Sequence, residues 1–329
     1  MVVGDVMMSW LLPKDCTEFL LILTVAMVMD FIYPYHSGLM LIIHPVHTSY
    51  VMALKLHKHL PKTKASGIII WFIVVITHTV PYVLILYLSS FNRLLWVLTS
   101  SYILKVSISL RLLLIHVRNV EFGLRSGDIN YARQYVSGIV RRDVSKLGEG
   151  HIASATIESL FESLVDGFTS PLLYYTFLGP IGALLQRLVN SLDSALGYRT
   201  DEFINTGWFS AKVDTIINYI PSRVTSLLIV LLCPLVNGSL KRSLTTYLRD
   251  RGKTESVNAG SIFASVSGCL SVRLEKINTY CIGSEFNLPK HEDISKSVRL
   301  ALITTTSYIL LIYLLFTTYN TFLEGGLIA

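Results

Sequence analysis

"GIIIWFIVVITHTVPYVLILYL", residues 67–88, is a run of 22 apolar and weakly polar residues with one histidine, His78, and one proline, Pro81. At 1.5 Å per residue a helix of this length crosses the ~30 Å of hydrocarbon in a bilayer. A soluble helix would alternate polar and apolar faces every 3.6 residues, and this one is apolar all round. Two more runs share its character. Leu94–Val117 contains Lys105 and Arg111, and Leu300–Phe322 carries no charge. Phe19–Tyr33 and Gly38–Leu54 are shorter and hold Asp30 and His44. They read as a tilted hairpin or as helices packed inside a bundle.

The whole composition agrees. The 329 residues are 52% hydrophobic and 15% charged, against about 25% charged in ordinary soluble domains. The expected class is an all-α, polytopic integral membrane helical bundle. The net charge of +6 fits basic loops on the cytoplasmic side. No basic run interleaved with aromatics points to nucleic acid. The basic stretches "KLHKHLPKTK" at 55–64, Arg118 to Lys146, and "KRSLTTYLRDRGK" at 241–253 are all expected inside, with the C-terminus outside. Cys16, Cys233, Cys269 and Cys281 form no CxxC pair, so neither a disulfide nor a thiolate zinc site is expected. A cleavable leader is not expected either, because one Lys precedes the first apolar run and no small-residue cleavage pattern follows it.

Residues 118–297 carry a weaker signal. Ile129–Val144 and Ile152–Val165 read as amphipathic helices. Pro171–Val189 and Ile216–Val236 are apolar but interrupted by Gly179, Pro180, Gly182, Pro221 and Arg223. Either both cross, or both are half-inserted and covered by other protein. The expected organisation is N-terminal transmembrane helices over 1–117, a central amphipathic or half-inserted helical region over 118–297, and a transmembrane helix over 298–329, forming one integrated domain.

The chemistry concentrates in that central region. "TIESLFESLVDG" at 156–167 spaces Glu158, Glu162 and Asp166 four apart, within an arc of ~80° on a regular helix. No Lys or Arg four residues away relieves their repulsion. The stripe is either a solvated polar face or the floor of a cation site. Mg²⁺ suits the latter, since it takes one or two carboxylates plus phosphate oxygens. Further along, Asn190, Asp193, Tyr198 and Arg199 surround Gly197, and Asp214, Asn218 and Arg223 lie on a mostly apolar segment. An Arg at the centre of a membrane helix costs ~2.5–3.5 kcal/mol, so such residues are functional candidates, with polar packing inside the bundle as the alternative. "RDRGKT" at 249–254 is not a phosphate-binding loop, because Tyr247 stands where its first glycine belongs.

"RRDVSKL", "TIESLFESLVDGFTSPLLYY", "GPIGALLQRLVNSLDSALGYR", "GWFSAKVDTIINYIPSR", "VNAG" at 257–260 and "VRLEKINTY" at 272–280 follow one another as in adenosylcobinamide-phosphate synthase, the membrane-associated cobinamide synthase family. Asp30 with His44-Pro45-Val46 resembles that family's N-terminal signature. The resemblance spans roughly residues 30–300. Ser163 and Thr215 depart from the Asn and Asp usual there, so neither position is assigned a role.

What the resemblance implies is an acid–amine ligase. It would join aminopropanol or its O-phosphate to the ring-D propionate of adenosylcobyric acid, driven by ATP. The alternative is a membrane transporter component. On the ligase reading Glu158, Glu162 and Asp166, with Asp193, would hold Mg²⁺-ATP, and Asp214 would act as general base. Arg199, Arg223 and Arg273 would meet phosphate or propionate. Asn190, Asn218, Asn258 and Asn278, with Tyr198 and His44, would line the substrate site. The expected setting is a multi-pass protein of the cell membrane, touching the bilayer and no nucleic acid, with its site facing the cytoplasm and a homo-oligomer allowed.

Overall fold

The structure is a computed structural model that describes residues 10–325, with the side chains of 322–325 left aside. It is almost wholly helical. Five stretches are long and apolar enough to cross a membrane: Lys64–Ser89, Arg93–Arg125, Glu149–Leu196, Tyr219–Val236 and His291–Thr321. The chain is a polytopic helical bundle of membrane type. Both central stretches left open by the sequence qualify, by length and composition.

Apart from the single turn Leu39–Ile42, the helices are α1 Cys16–Ile32, α2 Pro45–His59, α3 Lys64–Ser89, α4 Arg93–Ser107, α5 Arg111–Arg125, α6 Ile129–Ser137 and α7 Glu149–Leu164. A π-helical turn, Val165–Thr169, follows. Next come α8 Ser170–Leu196, α9 Trp208–Ile217, α10 Tyr219–Leu232, α11 Leu240–Asp250 and α12 Val257–Leu270. The hairpin strands β1 Leu274–Lys276 and β2 Tyr280–Ile282 precede the long α13, His291–Gly325.

Side chains start the helices. Asp15, Thr63, Asn92, Asp128, Ser239 and Ser256 each accept a backbone N–H from the first turn of the helix that follows, as small oxygen-bearing residues do at helix starts. The run 38–54 is not one helix. His44 is extended and Pro45 opens α2, a position that suits proline because the missing N–H has no helical partner there. The run 94–117 also divides, after Ser107. Ile108 is extended, and Ser109 sends its N–H to the Gly167 carbonyl at 2.9 Å. Gly179 interrupts α8 with φ +63°, which glycine adopts readily, and Pro180 resumes the helix.

The residues gather into two compact units. One comprises 1–109, 166–217 and 310–329, and the other 110–165 and 218–309, so residues 118–297 are shared between them. In the first unit α8 packs on α2, α3, α4 and α9. Phe19 stacks between Tyr175 and Phe316, with ring centroids 4.7 and 4.4 Å away. Gly67 meets the Thr206 carbonyl so closely that a Cβ there would lie 2.1 Å from its oxygen. The outer residues of α3, among them Ile69, Phe72, Ile76, Leu84 and Leu88, are exposed, a surface that suits lipid.

In the second unit α12 packs on α10 and α11, and α7 packs on α5 and β1. Residues Ala259–Leu270 of α12 are all buried. Small residues make that close packing feasible, since a Cβ at Gly268 would stand 2.7 Å from the Arg242 carbonyl oxygen. A disulfide joins Cys233, just after α10, to Cys269 near the end of α12, with Cα atoms 5.5 Å apart. This corrects the expectation of no disulfide. Sequence spacing carried no sign of the pairing, which arises where two packed helices end side by side.

Candidate active site

Glu158 lies in α7 and is only 3% exposed. It accepts hydrogen bonds from Ser154 Oγ and from the Tyr280 hydroxyl, both at 2.7 Å, and pairs with Arg142. Three donors therefore hold one carboxylate. Ser154 Oγ also accepts the Glu275 N–H at 2.8 Å, and Arg142 reaches the Glu275 carbonyl at 3.3 Å. Arg273 and His151 approach the Glu275 carboxylate at 3.3 and 3.6 Å. The hairpin is thus fastened to α7 through polar groups. Burial, and then the Glu158 charge, push the Tyr280 phenol well above its ordinary range, so it stays a donor. A buried carboxylate needs such partners because an unpaired one is strongly destabilising.

The helical wheel does not describe α7. Residues 152–161 are buried on every side, Thr156 and Ser159 included, so the polar arc is not a wet face. Glu162 is exposed and its charge also reaches Tyr280. The α-helical register stops at Leu164, where the π turn begins, and so does not carry on to Asp166. Such turns widen the helix by one residue and occur often at functional positions. Among the described residues no three of His, Cys, Asp or Glu gather closely enough to hold a metal ion. Glu158 is already gripped by Arg142, Ser154 and Tyr280.

In the first unit the centre is a residue that sequence reasoning passed over, Arg187. Its Nη1 donates to Asn190 Oδ1 at 2.7 Å and to the Asp166 carbonyl at 3.3 Å. Asn190 Nδ2 in turn reaches Asp214 Oδ1 at 3.4 Å. Asp166 and Asp214 both lie within the field of its charge. Three expected residues, Asp166, Asn190 and Asp214, therefore meet around an arginine that was not singled out. The signal was present, since Arg187 sits in the apolar stretch 171–189 just as Arg223 sits in 216–236. A Cβ at Gly167 would lie 3.8 Å from Arg187 Nη1, so the π turn passes directly beside the guanidinium.

The other expected residues are placed as follows. His44 packs its ring on His36, centroids 4.3 Å apart. Asp193 closes α8, its carbonyl accepting the Gly197 N–H at 2.7 Å. Tyr198 tilts against Phe203 at 5.4 Å, and Arg199 is exposed. Asn218 is buried, and its carbonyl takes the Ser222 N–H in the first turn of α10. Arg223 binds the side chain of Asn258. Asn278 is the left-handed residue of the hairpin turn, φ +60°, so its place follows from backbone geometry.

The chain matches the family described as CobD/Cbib protein over residues 23–307. It is 43% identical to the "Probable cobalamin biosynthesis protein CobD" of Aeropyrum pernix over 290 residues, 88% of this chain and 90% of that one. A relative of the same description in Thermoplasma volcanium is 37% identical over 276 residues, covering 83% and 90%. The "Cobalamin biosynthesis protein CobD" of Leptospira interrogans is 34% identical over 274 residues, covering 82% and 87%. No solved structure matches. Both centres lie inside the matched region, and the chain belongs to the CobD/Cbib protein family.

Proposed function

We propose that this chain acts in cobalamin biosynthesis as an ATP-dependent amide ligase, joining aminopropanol or its O-phosphate to the ring-D propionate of adenosylcobyric acid. The relatives' names support the pathway, and the resemblance of the sequence blocks supports the reaction. The observation that carries the chemical reading is the Arg187–Asn190–Asp214 chain, in which one amide links a half-buried cation to a carboxylate.

The reaction needs both charges. A carboxylate is an unreactive anion at neutral pH, and an alkyl amine is mostly protonated. In the proposed sequence a propionate oxygen attacks the γ-phosphorus of ATP, giving an acyl phosphate and ADP. Arg187 steadies the anionic oxygens, since cationic donors aimed at developing charge supply most of the catalysis in such transfers. Asp214 takes a proton from the ammonium group. The free amine then attacks the acyl carbon, and phosphate leaves with the propionate oxygen. ATP brings its own Mg²⁺ as part of the co-substrate, and no step is routed through a protein-held ion. Glu158, locked by Arg142, Ser154 and Tyr280, positions the hairpin. The site is placed on the cytoplasmic side of the cell membrane, where ATP is found.

The test uses detergent-purified protein with adenosylcobyric acid, Mg²⁺-ATP and either amine. An ATP-dependent mass gain of the corrinoid equal to amine minus water is expected. Unchanged corrinoid beside folded protein and intact ATP would overturn the reading. One observation favours a transporter instead. Lys105 is 3% exposed and places its ammonium 2.6 Å from His36, and buried ionisable groups of this kind mark ion paths in membrane proteins. Corrinoid flux into sealed vesicles without amide formation would select that reading.

A further inference from the structure

Four cations lie on or beside the α11–α12 connection, and they are not equivalent. Arg249 and Lys253 both bind the Asp250 carboxylate, at 2.7 and 2.8 Å, and Arg249 also binds Glu285 at 2.9 Å. Arg251 contacts no carboxylate among the described ion pairs. Its Nη1 lies 3.5 Å from the Tyr247 hydroxyl, and its guanidinium sits 5.3 Å from that ring.

The fourth cation is Arg223, from the first turn of α10. Its guanidinium stacks 3.8 Å over Tyr219. It donates to Ser222 Oγ at 2.8 Å, to the Val257 carbonyl at 3.0 Å and to Asn258 Oδ1. Every one of those acceptors is neutral. The Arg251 charge is felt at Arg223, and neither guanidinium has a carboxylate partner among the described ion pairs. Backbone packing fixes this arrangement. The 251–254 loop lies so close on α12 that a Cβ at Gly260 would stand 2.3 Å from the Arg251 carbonyl oxygen. The first turn of α12 is already closed by Ser256, so the charge of the site comes from the two guanidiniums.

We propose that Arg223 and Arg251, framed by Tyr247 and Asn258, bind a phosphate ester. Guanidinium forks match tetrahedral oxyanions, and a dianion would cancel their mutual repulsion. Tyr247 adds a donor. Burial opposes its ionisation, yet bonding to Ser261 and Arg251 and both guanidinium charges hold the phenol below its usual range. Two sources carry such a group: a soluble phosphate monoester, such as a phosphorylated amine substrate, and the headgroup of a phospholipid. The inference deepens the ligase reading by choosing phosphate over propionate for Arg223 and adding Arg251 and Tyr247 to its site, and it rests on that reading for the first source only.

The test measures binding without turnover, so its failure is separate from failure of the ligase reading. Full-length protein in a neutral detergent is melted against increasing inorganic phosphate, with chloride balancing ionic strength. A saturable rise in melting temperature is expected. Arg251→Gln, an exposed change, should weaken it by about tenfold or more, as loss of a charge-assisted bond does, and Arg223→Gln should do the same. Lys241→Gln, an exposed cation of α11, should leave it unchanged. In a second arm, native mass spectrometry follows retained phosphatidylglycerol. Retention by wild type and loss in Arg251→Gln, without a response to inorganic phosphate, would support the same site with lipid as its source. A response equal in wild type and Arg251→Gln in both arms, or none in either, would overturn the proposal.

Discussion

Tyr280 donates its phenol to the buried Glu158 at 2.7 Å and so bolts the β-hairpin onto α7. Tyr280→Phe keeps the ring and removes that donor. A buried acceptor left short of a partner costs about 1–3 kcal/mol, and a drop in melting temperature of a few degrees is expected. An unchanged melt would show that the hairpin is held by other contacts.

Arg142 is the charge partner of Glu158. Arg142→Met leaves a buried carboxylate uncompensated, which costs about 3–5 kcal/mol. Adding Glu158→Gln should restore much of that loss, since it removes the orphaned charge. A double variant no more stable than Arg142→Met, by chemical denaturation, would contradict the pairing.

Asp250 gives the fold an acid limb. Burial opposes its ionisation, but Arg249, Lys253 and the Gly283 N–H together hold the carboxylate well below the ordinary range. A group whose folded pKa is depressed contributes stability above its unfolded value near ~4 and loses it as pH falls below that. The melting temperature should therefore decline from about pH 4 downward. Asp250→Asn should lower it at pH 7 and flatten the acid decline. An acid limb of equal steepness in the variant would assign it to other carboxylates.

The Cys233–Cys269 bridge closes a sequence separation of 36 residues. Loop-closure entropy for that length corresponds to about 4 kcal/mol. Alkylation of denatured, unreduced protein should label Cys16 and Cys281, the two free thiols, and add two further labels only after reduction. Four labels without reduction would contradict the bridge.

How much of this was legible depends on the length scale of the cause. The apolar run 67–88 announced α3 because lipid solvation acts residue by residue, and the structure extends it only to Lys64–Ser89. The carboxylate stripe holds its register from Glu158 to Glu162 and loses it at Asp166, because a helical wheel assumes one unbroken helix while a π turn starts at Val165. The same stripe hid the cage around Glu158, whose partner Tyr280 lies 122 residues further along the chain. Asn278 was chosen for its chemistry, and the structure shows a turn residue with positive φ. Arg187 was hidden among apolar neighbours, although the rule that singled out Arg223 applies to it equally. The disulfide and the Arg223–Asn258 bond depend on helix packing, which no local spacing encodes.

Arg187 is the most exacting test of the site itself. Arg187→Lys keeps a positive charge but loses the fork that meets Asn190 and the Asp166 carbonyl together. Turnover should fall by about tenfold to a hundredfold, matching ~1.5–3 kcal/mol for a bond to a charged group. Turnover within about twofold of wild type would remove Arg187 from the proposed machinery.

The central claim is that ATP activates the propionate as an acyl phosphate, and one isotope experiment addresses it directly. Adenosylcobyric acid carrying ¹⁸O in its ring-D carboxylate is incubated with the purified protein, Mg²⁺-ATP and the amine. The account expects one ¹⁸O to appear in inorganic phosphate for each amide formed. Amide formation with unlabelled phosphate, or ATP hydrolysis with the corrinoid mass unchanged, would contradict it.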